Sequence, residues 1–264
     1  MASPPTPCGR GHGRRAMSAA LTLKALSLVG DSGPRLGPLS LTLPAGKRVL
    51  LAGPNGAGKS TLIALLSGDL EASTGTVSWN GTMPWAERRA VLTQRNALDH
   101  PFTAEEVVGL AGVSPGTARA VLEELGAGAW RQTPYPQLSG GLARLVHLAR
   151  VLAHLDQLDP ARAWGFFDEP LAHLDWRYAG AALRALARRA DTGYGIVVAA
   201  HELNLVVPWA EHTVLLNQGR LEAEGSVAAV LTPDRLAEHW GITGYLDPRT
   251  EGPVLILEGF TEGP

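Results

Sequence analysis

Nine consecutive residues, Gly53-Pro54-Asn55-Gly56-Ala57-Gly58-Lys59-Ser60-Thr61, carry the densest chemistry in the chain. They fit the pattern G-x-x-x-x-G-K-[ST] and lie between a short apolar run, residues 48–52, and a helix-patterned segment, residues 60–67. Glycines at that spacing let the backbone curl until successive N–H groups point inward as an anion nest. The positive end of the following helix adds to it. Lys59 then reaches the β- and γ-phosphates of a nucleoside triphosphate, and the Ser60 hydroxyl is placed to ligate Mg²⁺. Hydrolysis needs more: an acid to hold the metal and a group that activates water. Asp168 and Glu169 follow the apolar run 163–167 and supply both, Asp168 toward Mg²⁺ and Glu169 toward the attacking water. A second phosphate site is predicted at Ser139-Gly140-Gly141, where a serine cap and two glycines open another helix.

Alternating strand and helix patterns must position these residues. Residues 21–28 and 39–43 alternate with period two, and the Gly- and Pro-rich stretch 30–38 is expected to turn between them. Val77 to Trp79 runs as a strand into an Asn80-Gly81 turn. Residues 104–126 and 139–155 are helix-patterned, with Ser114-Pro115 and Ser139 as starts. Residues 163–167 and 195–200 read as buried strands around a helix-patterned 177–190. Residues 213–216 and 220–223 form a hairpin about Gln218-Gly219, and Thr232-Pro233 opens a helix that stops before Gly241. This alternation implies an α/β fold with a mostly parallel sheet. The opening strands imply an antiparallel flank, and the helix-only stretch an inserted helical subdomain at about 98–157. One domain is expected over 18–248, after a disordered basic tail at 1–17 (or a start at Met17) and before a strand or loose tail over 249–264.

Composition removes several classes of function. A net charge of −2, with only Lys24, Lys47 and Lys59 as lysines, gives no case for a nucleic-acid partner. Cys8 stands alone and cannot form an internal disulfide. No run approaches 18 apolar residues, so no membrane span is expected, and no apolar segment follows the basic start to make a secretory signal. Histidines other than His201 show no metal-ligand spacing.

The ordered set of residues 53–61, Gln94, 138–141, 166–175 and His201 resembles the ATP-binding subunit of ATP-binding-cassette transporters, over about residues 20–225. That resemblance implies a P-loop fold with a RecA-like sheet, bound ATP and Mg²⁺, and ATP hydrolysis. Two subunits then form a head-to-tail homodimer, each ATP lying between the phosphate loop of one and Ser139, Gly140 and Gly141 of the other. Gln94 is implied to touch the metal and report to a transmembrane permease. Asp175 is implied to cross the dimer interface, and His201 to contact the γ-phosphate. The subunit would sit peripherally on the cytoplasmic face of the plasma membrane and serve, indirectly, a substrate-binding protein.

Residues 90–109, 135–153, 154–162 and 230–241 look like the metal-chelate importer branch, with haem ranked first and vitamin B12 or ferric siderophores behind. A soluble cassette ATPase of the iron–sulfur assembly type, and a regulatory pseudo-ATPase, are the alternatives. The sequence departs from the family pattern in three places. No aromatic precedes Trp79 to stack on adenine, leaving Arg35 or an apolar contact. Leu142-Ala143-Arg144-Leu145 follows the second phosphate site where the family favours an acid or glutamine and then Gln-Arg. Leu171-Ala172-His173 replaces the usual small polar residues after Pro170.

Overall fold

A computed structural model describes residues 20–31, 33–79, 88–94, 98, 100–249 and 252–261. The chain opens with β1 (Leu21–Gly30) and β2 (Gly33–Leu43), and β3 (Arg48–Ala52) then leads into α1 (Lys59–Ser67). After β4 (Thr74–Trp79) and β5 (Arg89–Leu92) come three helices, α2 (Ala104–Gly109), α3 (Pro115–Glu124) and α4 (Gly140–Leu155). β6 (Trp164–Asp168), α5 (Trp176–Thr192), β7 (Gly195–Ala199) and the short α6 (Leu203–Val206) follow. The chain continues through β8 (His212–Asn217), β9 (Arg220–Gly225), α7 (Val227–Val230) and α8 (Pro233–Trp240). It ends in a hairpin of β10 (Ile242–Arg249) and β11 (Gly252–Phe260).

The main sheet has the order β5-β6-β7-β3-β8-β9, with only β9 antiparallel to its neighbour. Its central strands are buried on both faces, so alternate residues feed two cores. Val49, Leu51, Val197 and Ala199 face α1 and the antiparallel flank β2-β1-β4. Leu50, Ala52, Ile196 and Val198 face α5 and the helical lobe of α2, α3 and α4. The lobe helices start where side chains satisfy free amides. Thr103 and Glu106 form a reciprocal capping box, Ser114 caps α3 ahead of Pro115, and Ser139 caps α4.

Two local expectations differ from the structure. The stretch 33–38 is strand, not turn, because β2 is an edge strand and tolerates Pro34 and Pro38. Within β1 the strict alternation breaks at a bulge, where Ala25 takes φ 46 and the buried set shifts from Leu21 and Leu23 to Leu26. Of the two alternatives for the segment after 248, residues Gly252–Phe260 take the strand, as β11. The Asn80-Gly81 turn and the tail over 1–17 lie outside the described residues.

Candidate nucleotide site

Parallel strands all end on one edge of the sheet, and the loops that leave that edge are where ligands bind in open α/β folds. β3 runs into Gly53, β5 into Gln94, β6 ends at Asp168 with Glu169 next, and β7 runs into His201. Four of the expected site segments therefore meet at one edge because their strands are parallel neighbours.

The loop after β3 is shaped by its glycines. Gly53 takes φ 146, and a Cβ there would collide with the Leu216 carbonyl oxygen of β8. Gly58 is the N-cap of α1 and supplies no side-chain acceptor, so the first amides of that helix keep their capacity for an anion. Lys59 is only 7% exposed. Its ammonium donates to the carbonyls of Gly53 at 2.6 Å and Pro54 at 3.0 Å. Burial lowers its pKa, against the opposing pull of Glu169 and Asp168. Asn55, Gly56 and Ser60 are exposed, Ala57 is buried, and Thr61 is half-buried.

Asp168 is buried and its pKa is raised, chiefly by that burial, while a hydrogen bond with Ser60 acts in the other direction. Its Oδ1 is buried with no hydrogen-bond partner. An unpartnered carboxylate oxygen on a residue that is hydrogen-bonded to a serine hydroxyl offers oxygen donors, which suit Mg²⁺. One carboxylate suffices where phosphates supply the rest, and among the described residues no cluster of three His, Cys, Asp or Glu exists. The Glu169 carboxylate lies between Gln94 Nε2, at 3.5 Å, and His201 Nδ1, at 3.3 Å. Its backbone takes φ 51, a left-handed conformation that a non-glycine holds only when its surroundings enforce it. The N–H of Glu169 donates to Ala199 O at 2.9 Å.

Ser139, Gly140 and Gly141 stand elsewhere. Ser139 Oγ accepts from Leu142 N at 3.3 Å, and Gly140 is open to solvent. Gly141 has an internal use that its motif does not reveal: a Cβ would collide with the carbonyl oxygen of His173. Asp175 caps α5, its Oδ1 accepting from Tyr178 N at 3.0 Å. Among the described residues no hydrogen bond joins Ser139, Gly140 or Gly141 to the 53–61 loop. Arg144 carries a role that the sequence shows only as a departure from the family pattern: its guanidinium donates to main-chain carbonyls of both the 93–94 and 168–169 segments. The adenine-side expectation finds Arg35 exposed, its stem against Gly30, on the strand whose Leu36 lies over Gly58.

Residues 36–161 match the family model described as ABC transporter. The chain is 38% identical over 257 residues to the hemin import ATP-binding protein HmuV of Bradyrhizobium diazoefficiens, covering 91% of this chain and 95% of that one. It is 35% identical over 261 residues to the protein of the same name from Myxococcus xanthus, covering 91% and 97%. Among solved structures it is similar to an ATP-binding subunit of an ABC transporter, with TM-score 0.69, 26% identity and coverage of 79% and 90%. The same fold recurs in an inward-facing metal-chelate type ABC transporter, with TM-score 0.73, 21% identity and coverage of 91% and 97%.

Proposed function

This chain belongs to the ABC transporter family of ATPases, and we propose that it is the subunit whose ATP hydrolysis drives uptake of haem, or a related iron chelate, across the cytoplasmic membrane. Support for the cargo comes from the relatives named as hemin import ATP-binding proteins. Support for the chemistry comes from one observation above all: Glu169 is held between Gln94 and His201 at the sheet edge that carries Lys59 and Asp168.

In this reading the backbone amides of residues 53–61 and the Lys59 ammonium bind the β- and γ-phosphates. Ser60, Gln94 and Asp168 are the residues that would hold Mg²⁺. When bound, that ion neutralises phosphate charge and polarises the phosphoryl oxygens. Glu169 orients a water in line with the γ-phosphorus and accepts its proton as the new P–O bond forms and the β–γ bridge breaks. His201 keeps the carboxylate oriented and lies within reach of the γ-phosphate. Ser139, Gly140 and Gly141, at the amino end of α4, and Asp175 serve the nucleotide of a second copy; among the described residues no hydrogen bond joins them to the 53–61 loop of their own chain. The homodimer would sit peripherally under two permease subunits and respond to a substrate-binding protein. Among the described residues no helix is long and apolar enough to cross a membrane.

Glu169→Gln tests the hydrolytic assignment. ATP binding should persist, turnover should fall at least about a hundredfold, and a two-copy ATP-bound dimer should accumulate on size-exclusion chromatography. Wild-type turnover with Mg²⁺ present would remove Glu169 from the reaction. For the cargo, deleting the subunit should abolish growth on haem as sole iron source, and unaffected growth would refute haem.

A further inference from the structure

We propose that Arg144 is a positioning residue for hydrolysis, holding the main chain of Gln94 and Glu169 in register from the first turns of α4. The inference rests on the assignment of Glu169 as the water-activating group. Arg144 Nη1 donates to Thr93 O at 2.6 Å and reaches Gln94 O at 3.5 Å. Nη2 donates to Asp168 O and, at 3.2 Å, to Glu169 O, which Nε also reaches at 3.3 Å. One guanidinium thus serves four carbonyls on two segments that end neighbouring strands, β5 and β6. A planar fork of five donors can do this; an ammonium, a point donor on a flexible stem, cannot serve both segments in one plane.

The consequence falls on Glu169. Its left-handed φ of 51 must be enforced: Ala199 O takes its N–H, and its carbonyl accepts both from Ala172 N–H at 3.2 Å, within its own loop, and from the Arg144 guanidinium, the restraint that also reaches the neighbouring segment. On the other segment, Arg144 fixes the backbone at Thr93 and Gln94, from which the Gln94 amide reaches the Glu169 carboxylate. Among the described residues no carboxylate receives the guanidinium directly, so its role is to set main-chain geometry rather than to neutralise a side chain. Burial lowers its pKa, against Asp168 and Glu169, and a guanidinium stays charged regardless. Three residues earlier on α4, Gly141 lies against His173 O of the loop that follows Glu169. The turn that presents the second phosphate site is therefore tied to both sides of its own hydrolytic carboxylate.

A displacement of about 1 Å at a catalytic group costs on the order of a hundredfold in rate. The test uses full-length R144K, R144A and E169Q, measuring kcat, KM and ATP-binding stoichiometry, with melting curves to establish folding. R144K and R144A should lose at least about tenfold in kcat, with KM and stoichiometry within about threefold of wild type. Methylguanidine in solution should partly restore kcat to R144A and leave E169Q inactive. If R144A does not fold, R144K alone carries the kcat–KM comparison. Wild-type kcat in R144K and R144A beside an inactive E169Q would overturn the role of Arg144 and leave Glu169 standing. Loss of binding stoichiometry in step with kcat would likewise overturn it, as a purely structural effect. Full activity of E169Q would instead remove the assignment on which the inference rests.

Discussion

Replacing Arg189 by methionine tests how the helical lobe is fastened to the sheet. Arg189 lies on α5, only 7% exposed, and makes five hydrogen bonds. Two go to Glu124, the last residue of α3, and two to Asp156, the C-cap of α4. Both carboxylates sit at helix carboxyl ends, where the macrodipole disfavours negative charge, so they depend on the arginine between them. Methionine keeps much of the apolar stem and removes only the charge and the donors. Breaking a buried ion pair by removing one partner costs about 3–5 kcal/mol. Here both carboxylates keep some contact with water, and Arg188 still holds Glu124, so about 2–3 kcal/mol is the better figure. At about 2–4 °C per kcal/mol for a chain of this size, the melting temperature should drop by about 4–12 °C at pH 7.

The pH dependence of that gap has a definite sign. Burial pushes the Glu124 carboxyl up, but the bonds from Arg189 and Arg188 outweigh it and hold the group below the usual 4.5. A depressed carboxylate stabilises the fold fully above its unfolded pKa and loses that contribution as the pH falls through the folded value. The difference between wild type and R189M should therefore be full at pH 7 and shrink below about pH 4.5. Calorimetry across that range, with E124Q completing a double-mutant cycle, measures both effects. A drop below about 2 °C at pH 7, or a coupling energy near zero, would refute the reasoning.

Lys59→Ala should lose at least about tenfold in ATP affinity by titration calorimetry while still folding, because its ammonium bonds only to the carbonyls of its own loop; unchanged affinity would contradict its phosphate role. Burial lowers the pKa of His212, with Glu224 opposing, so its stabilising contribution is full above the usual 6.5 and is lost as the pH falls below it. H212Q should accordingly melt with a smaller loss between pH 7 and pH 5.5 than wild type. With no aromatic among residues 1–78, an adenine stack worth about 0.5–1.5 kcal/mol is missing, and GTP should compete with ATP within about tenfold in a Mg²⁺-containing titration.

What the sequence makes legible follows from range. The 53–61 loop is readable because its geometry is set by residues that touch it in sequence: glycines at the bends, a lysine and a serine at the helix start. Asp168-Glu169 is readable because an apolar strand must end where the sheet meets solvent. The same local reasoning misreads 33–38, since glycine and proline mark a turn in a central segment but are tolerated in an edge strand. It marks Arg144 only as a departure from the family pattern and misses its role, because its acceptors lie 51 and 24 positions away at Thr93 and Asp168. A residue whose partners are main-chain carbonyls leaves no complementary side chain in the sequence to find.

The long-range contacts also hold α4 at both of its ends. Near its amino end Arg144 grips the carbonyls beneath Glu169 and Gln94; at its carboxyl end Asp156 is gripped by Arg189 of α5. Between these points Leu145, Leu148, Ala149 and Leu152 are fully buried in the lobe core. A helix clamped at both ends and buried along one face moves as a rod, not by local bending. Any displacement of Ser139, Gly140 and Gly141 at its tip is then resisted by the loops that carry Gln94 and Glu169 and by α5 together. If, as proposed, a phosphate engages that tip, it would act on the Glu169 backbone through the single side chain of Arg144.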